Sequence, residues 1–249
     1  MDWTDGGDSS ISIAGSNGKT QLGAAEYDYA MTIAAVVFDL DETLAVTTRD
    51  RQTLLADTVD EAGLEPVEYG TYERAHKKAV TGETRARIFE SIYDDEPIDP
   101  QDLADAYRGA VNEHLEPIEG AERLLEKLSN GAGYRIGVLT DGPERAQCSK
   151  LEELGWTDLV DATVVTGTME TRKPDPVAFE AILAALSVDP EGAVYVGDKP
   201  EADIEGALSA GMAAIQVLYP GGPDPHPQAD AVIDREHLHD ELPAVLANL

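Results

Sequence analysis

Ile33-Ala34-Ala35-Val36-Val37-Phe38-Asp39-Leu40-Asp41-Glu42-Thr43-Leu44 is an apolar run that ends in two closely spaced carboxylates. A short run rich in β-branched and small apolar residues reads as a strand covered on both faces, the kind found in parallel sheets. An ionised carboxylate at the end of such a strand is costly unless a metal or a cationic partner offsets its desolvation. The pattern recurs downstream. Ala34 to Asp39, Arg135 to Thr140, Ala162 to Thr166, Ala193 to Gly197 and Ala213 to Leu218 are predicted as strands buried on both faces, with Ala231 to Ile233 as an edge strand. Helical patterns at Ala121 to Ser129, Pro143 to Leu154, Pro176 to Leu186 and Glu201 to Ala210 fill the intervals, with Pro143 and Pro176 suited to first turns. This alternation predicts an α/β fold with a doubly wound parallel sheet.

From Thr48 to Leu115 the rhythm changes to apolar residues at helical spacing, as in Leu54, Leu55, Thr58 and Val59, without a strand pattern. The interval reads as an all-helical insertion over the carboxyl end of the sheet, where open α/β sheets bind ligands. Residues 31–47 and 117–249 are therefore expected to form the core, 48–116 a helical cap, and the polar, glycine-rich residues 1–30 a disordered extension, with Met31 a candidate initiator. Within that extension Gly15-Ser16-Asn17-Gly18-Lys19-Thr20 ends like a phosphate-binding loop. The first glycine of that pattern would fall at Ile13, and no buried strand precedes it, so the reading is set aside.

A chain of 249 residues can build one substantial core plus an accessory domain. Its 49 acidic and 18 basic residues give a net charge of -31. Nucleic acid is excluded as a partner, because binding a phosphate backbone requires clustered Lys and Arg. The carboxylates are spread along the whole chain, which suggests a halophile, since at about 1 M salt the Debye length shrinks to roughly 3 Å. One cysteine, Cys148, excludes an intramolecular disulfide and agrees with a reducing cytosol. No apolar stretch approaches the roughly 20 residues needed to cross a bilayer, so a cytoplasmic location without a membrane partner is expected.

The chemistry collects at the strand ends. Asp39 and Asp41 emerge from the first strand, where Mg²⁺ is the natural cation, a hard ion content with few carboxylates plus waters and phosphate oxygens. Thr140-Asp141-Gly142 joins the second strand to a helix and offers a hydroxyl and backbone amides to an anion, or else simply caps the helix. Lys173, in Thr171-Arg172-Lys173-Pro174-Asp175-Pro176, can balance a nucleophile and a phosphate, or stand as a solvated loop charge. Asp198 sits where a third metal ligand is needed. Asp203 can serve through water or orient Lys173.

Asp39-x-Asp41-x-Thr43, Thr140, Lys173 and Gly197-Asp198 with Asp203 resemble the four motifs of the haloacid dehalogenase-like superfamily, over about Thr32 to Asp234. The resemblance implies that Asp39 is a nucleophile forming an aspartyl-phosphate, and Asp41 a general acid and base. It implies Mg²⁺ held by the Asp39 side chain, the Asp41 backbone carbonyl and Asp198, with Thr43 and Asp203 behind them. Thr140, Asp141 through its backbone amide, and Lys173 would hold the phosphoryl oxygens. An acid at position 41 favours phosphoryl transfer, since the family's dehalogenases lack one there. Asp141 departs from the usual Asn, and a carboxylate pointing inward would repel the substrate. The insertion resembles the cap of phosphoglycolate phosphatase-like members, implying a small phosphorylated metabolite such as 2-phosphoglycolate. Arg74, His76, Lys77, Lys78, Arg85 and Arg87 in it either meet an anionic substrate or pair with nearby carboxylates. A sugar phosphomutase of the same family shares all four motifs. A receiver domain fits less well, being about half this length with its acid pair ahead of the phosphoacceptor. A catalytically silent binding protein is the third alternative.

Overall fold

The computed structural model describes residues 32–79 and 82–249, so the loop-like Gly15–Thr20 run and the expectation for residues 1–30 lie outside the described residues. In chain order the elements are β1 (Ala35–Phe38), β2 (Ala45–Thr47), α1 (Arg51–Glu61), α2 (Tyr69–Lys78), α3 (Ala86–Glu90) and α4 (Pro100–Glu113). β3 (Leu115–Pro117), α5 (Ala121–Glu126), β4 (Arg135–Thr140), α6 (Glu144–Glu153), β5 (Ala162–Val165) and α7 (Pro176–Leu186) follow. The chain closes with β6 (Ala193–Gly197), α8 (Gly206–Ser209), β7 (Ala213–Leu218), β8 (Ala231–Asp234) and α9 (Leu238–Leu246).

Because successive strand residues point to opposite faces, β1 feeds two cores. Val36 and Phe38 pack with α5, α9 and the fully buried Trp156, whereas Ala35 and Val37 pack against Phe179, Ile182 and Leu186 of α7. The six strands are parallel, in the order β5-β4-β1-β6-β7-β8. The chain moves outward from β1 through β4 to β5, then returns to β6 and moves outward the other way. The reversal opens a crevice at the carboxyl ends of β1, β4 and β6, the general place for a ligand in such sheets.

One expectation needs correction. β5 was expected to be buried on both faces, but it forms a sheet edge, where Thr163 is exposed and only Val165 of the strand is buried. The helix expected over Glu201 to Ala210 is present, wound as a wider π-helical stretch over Pro200–Glu205 that runs into the single-turn α8. The antiparallel pair β2 and β3 was not anticipated, since three-residue strands leave no periodicity to read. Between that pair, α1 to α4 build their own core from Leu54, Leu55, Val59, Tyr72, Phe89 and Tyr107. Among the described residues no helix is long and apolar enough to cross a membrane.

Candidate active site

Asp39 leaves β1 buried, and its two oxygens meet two lysines: Lys173 Nζ at 3.0 Å and Lys199 Nζ at 3.1 Å. Burial alone would raise its pKa, but Lys173 and then Lys199 outweigh that and hold the carboxyl below its usual range. Lys173 is itself buried. It donates to Asp203 Oδ1 at 2.7 Å and to the Tyr195 hydroxyl at 2.9 Å, so its charge is fixed between two carboxylates. The second oxygen of Asp203 accepts from the backbone N–H of Lys199 at 2.9 Å. Gly197 makes this close approach possible, because a Cβ there would lie 2.6 Å from the Asp203 carboxylate.

Asp198 completes the group. Ligand oxygens of Asp39, Asp198 and Asp203 all lie within 4.8 Å of one another. Burial, with Asp203 and Asp39 adding to it, pushes Asp198 up to about 6, the behaviour of a carboxylate short of a cation. The Lys199 ammonium stands between Asp39 and Asp198, 3.1 and 3.4 Å from their oxygens, on a side chain that is 49% exposed. Three convergent hard oxygen donors, with a half-exposed ammonium bridging two of them, fit a divalent cation such as Mg²⁺.

The Asp41 carboxylate is not part of this group. Both its oxygens take the buried Lys150 Nζ at 2.6 Å, Arg51 reaches one at 2.7 Å, and Gln147 donates to the other at 3.0 Å. Burial is overcome by Lys150 and Arg51, and Asp41 is held well below the usual carboxylate range. The side chain of Asp41 is thus turned to Lys150 and Arg51, while the buried carboxylates that gather are those of Asp39, Asp198 and Asp203.

The chain matches the family described as haloacid dehalogenase-like hydrolase over residues 36–217. It belongs to that family. Within the haloacid dehalogenase-like hydrolases it is 33% identical to a ribulose-1,5-bisphosphate 5-phosphatase of Halopiger xanaduensis, the match covering 79% of this chain and 87% of that protein. It is 32% identical to a phosphoglycolate phosphatase of Rhodospirillum rubrum, over 74% of this chain and 79% of the relative. Among solved structures, a 2-haloacid dehalogenase from Pseudomonas syringae superposes with a TM-score of 0.67 at 26% identity, covering 87% of this chain and 99% of that one. The chain is an enzyme, and its curated relatives place it with the phosphatases.

In this hydrolase the remaining motif residues surround the same crevice. Thr140 is buried at the end of β4, its Oγ1 accepting from Gln147 at 2.9 Å. The Asp141 carboxylate accepts from Thr166 Oγ1 at 2.8 Å and from the Lys173 backbone at 3.3 Å. Thr43 is fully buried, and its hydroxyl has no partner among the described residues. Lys150, Gln147, Arg51, Lys199 and Tyr195 were not singled out from the sequence. Lys150 and Gln147 left a signal, since both occupy inward positions of α6 beside Ala146 and Leu151. A cation and an amide on the buried stripe of a helix need a polar partner. Tyr219 and Arg235 reach the site from farther along the chain. Tyr219 donates to Asp198 Oδ2 at 3.3 Å, and Arg235 lies 4.2 Å over the Tyr219 ring while binding Glu42 at 2.7 Å. Glu42 holds a left-handed backbone with φ 65°, so Arg235 braces a strained turn beside Asp41.

Proposed function

We propose that this enzyme is a Mg²⁺-dependent phosphatase that hydrolyses a small phosphate monoester through an aspartyl-phosphate on Asp39. The reading is carried by one observation: Lys173 is fixed between Asp39 and Asp203 at the carboxyl end of β1, with Asp198 in reach of both. Asp39, Asp198 and the Asp41 backbone carbonyl would hold Mg²⁺, with Asp203 close behind. The ion, when bound, would neutralise phosphoryl oxygens as charge develops on them.

Asp39 is ionised and oriented by Lys173. Its oxygen forms a bond to phosphorus as the bond to the leaving oxygen breaks, and Asp41 gives that oxygen its proton. Water then attacks phosphorus and passes a proton to Asp41, which frees Asp39 and releases inorganic phosphate. Lys173, Thr140 and the Asp141 amide hold the phosphoryl oxygens, a demand that dominates such chemistry. Asp41 must be protonated to act first. Its partner Arg51 sits on α1, so movement of residues 48–116 as a cap over the site would loosen the clamp that keeps Asp41 charged.

The substrate is proposed to be a small phosphorylated metabolite of the 2-phosphoglycolate kind, a view supported by the names of the relatives. Release of phosphate from p-nitrophenyl phosphate should be abolished by EDTA and by Asp39→Asn. Survival of the activity under either treatment refutes the mechanism. The net charge of -31 supports adaptation to high salt. A melting temperature that fails to rise between low and molar KCl counts against it.

A further inference from the structure

The helix α6 buries two polar side chains, Gln147 and Lys150, about one turn apart and beside Ala146 and Leu151. A lysine and an amide on an otherwise apolar stripe are costly unless other polar groups engage them. Both reach back to Asp41. Lys150 Nζ, on a side chain that is 1% exposed, lies 2.6 Å from each oxygen of the Asp41 carboxylate. Gln147 Nε2 donates to Asp41 Oδ2 at 3.0 Å, and it also meets Thr140 Oγ1 at 2.9 Å and the Asp141 carbonyl oxygen at 2.6 Å.

The orientation of that amide is forced. A carboxylate and a backbone carbonyl can only accept, so reversing the group would set the Gln147 carbonyl oxygen against both. The cost falls at the other end, where Gln147 Oε1 is buried without a partner among the described residues. An amide with two N–H groups shared among three oxygens and with an unmet carbonyl is placed for what it joins, not for its own stability. It joins Asp41 to both residues of the turn that would hold the phosphoryl oxygens. Arg51 reaches Asp41 as well, but from α1 in the helical segment. Gln147 and Lys150 instead follow β4 on the same short stretch as Thr140, so the core sets their hold on Asp41.

We propose that Lys150 and Gln147 are positioning residues that keep the Asp41 carboxyl group beside the phosphoryl-binding turn, in reach of the leaving oxygen. This deepens the phosphatase reading and rests on Asp41 being its acid and base. Lys150 fixes both oxygens of the carboxyl group, and Gln147 fixes its distance from Thr140. Both act through Asp41 and not on the substrate. With these anchors gone, Arg51 is the cation left on Asp41 among the described residues, and it draws the carboxylate toward the helical segment.

The test sets Lys150→Met and Gln147→Met against the leaving group, in Mg²⁺ and molar KCl. The p-nitrophenolate ion departs without a proton, whereas phenyl phosphate and glycerol phosphate release more basic oxygens that need one. Because kcat/KM covers the steps up to departure of the alcohol, each variant should lower it by about tenfold or more for phenyl and glycerol phosphate, and by less than about threefold for p-nitrophenyl phosphate. In an Asp41→Asn background the same substitutions should cost less than about twofold more, since the group through which they act is already gone. Equal losses on all three esters, no loss, a gain, or a full further loss in the Asp41→Asn background overturns the proposal. Should Lys150→Met fail to fold, Gln147→Met alone and combined with Asp41→Asn decides by the same criteria. If Asp41→Asn itself does not discriminate between the esters, the acid–base reading of Asp41 fails and the proposal falls with it. If Asp41→Asn discriminates and the α6 variants do not, the proposal falls alone.

Discussion

At the carboxyl edge of the sheet, three buried aspartates gather oxygens within 4.8 Å of one another, while the cations of the segment from Arg74 to Arg87 form no ion pair among the described residues. Each region resists its own charge. Asp198 is pushed up to about 6 by burial and then by its acidic neighbours, and His76 is pulled down to about 4 by burial and then by its cationic ones. One region is short of a cation and the other is short of an anion. On the proposed reading a metal ion and an anionic substrate would supply what each lacks, so changes at the sheet edge should act on turnover and changes in the cationic segment on binding and on stability toward acid.

The most severe way to break the contrast is Asp39→Asn, which should lower kcat by at least about 10³-fold in a phosphate-release assay, as expected for loss of a nucleophile. Removal of divalent metal with EDTA should silence the wild type to a similar degree, and Mg²⁺ should restore it. Mg²⁺ should also raise the melting temperature of the wild type, but not of Asp198→Asn, through binding to the folded state alone. An unchanged melting temperature in the wild type would remove Asp198 from the metal site.

Lys173→Met leaves Asp39 and Asp203 buried without their shared cation. Urea unfolding should show a loss of about 3–5 kcal/mol, the usual consequence of orphaning buried charge. A milder effect isolates the cationic region. Because the folded-state value of His76 lies below its ordinary 6.5, its contribution to stability is complete above pH 6.5 and is lost as pH falls from there toward 4. Its loss amounts to at most about 3 kcal/mol. Asp198 has the opposite sign, gaining stability as pH falls toward 3.8, so the difference between wild type and His76→Asn is the quantity to follow. That difference should move against the wild type between about pH 6.5 and 4 and level off below about pH 4 if the field is as described. The smallest effect is expected at the junction: Arg235→Gln should reduce kcat by about tenfold while leaving KM nearly unchanged, since Arg235 acts through Glu42 and Tyr219.

Much of this was legible in the chain. The runs around Val36, Val138 and Val194 are short, apolar and separated by helical patterns, and a parallel sheet is the only compact way to bury them all. The residues closing those strands were therefore legible too, since a strand end fixes where its next side chain goes. The pairing of Lys150 with Asp41 was not, because nothing local couples a helix residue to an aspartate that precedes it by more than a hundred positions. β5 looked as apolar as its neighbours, and only the pairing order made it an edge.

What the sequence determined by itself was the fold class, the edge of the sheet where acids and Lys173 meet, and a surplus of basic residues between positions 74 and 87. Periodicity and local composition are short-range properties, and those features depend on nothing else. Tertiary structure decided which carboxylates share a cation. It sent Asp41 to Lys150 and Arg51, brought Asp203 beside Asp39, and set Arg172 across a cavity from Arg87. Charge pairing is decided at a few ångströms in a low-dielectric interior, and only the folded chain brings residues that close.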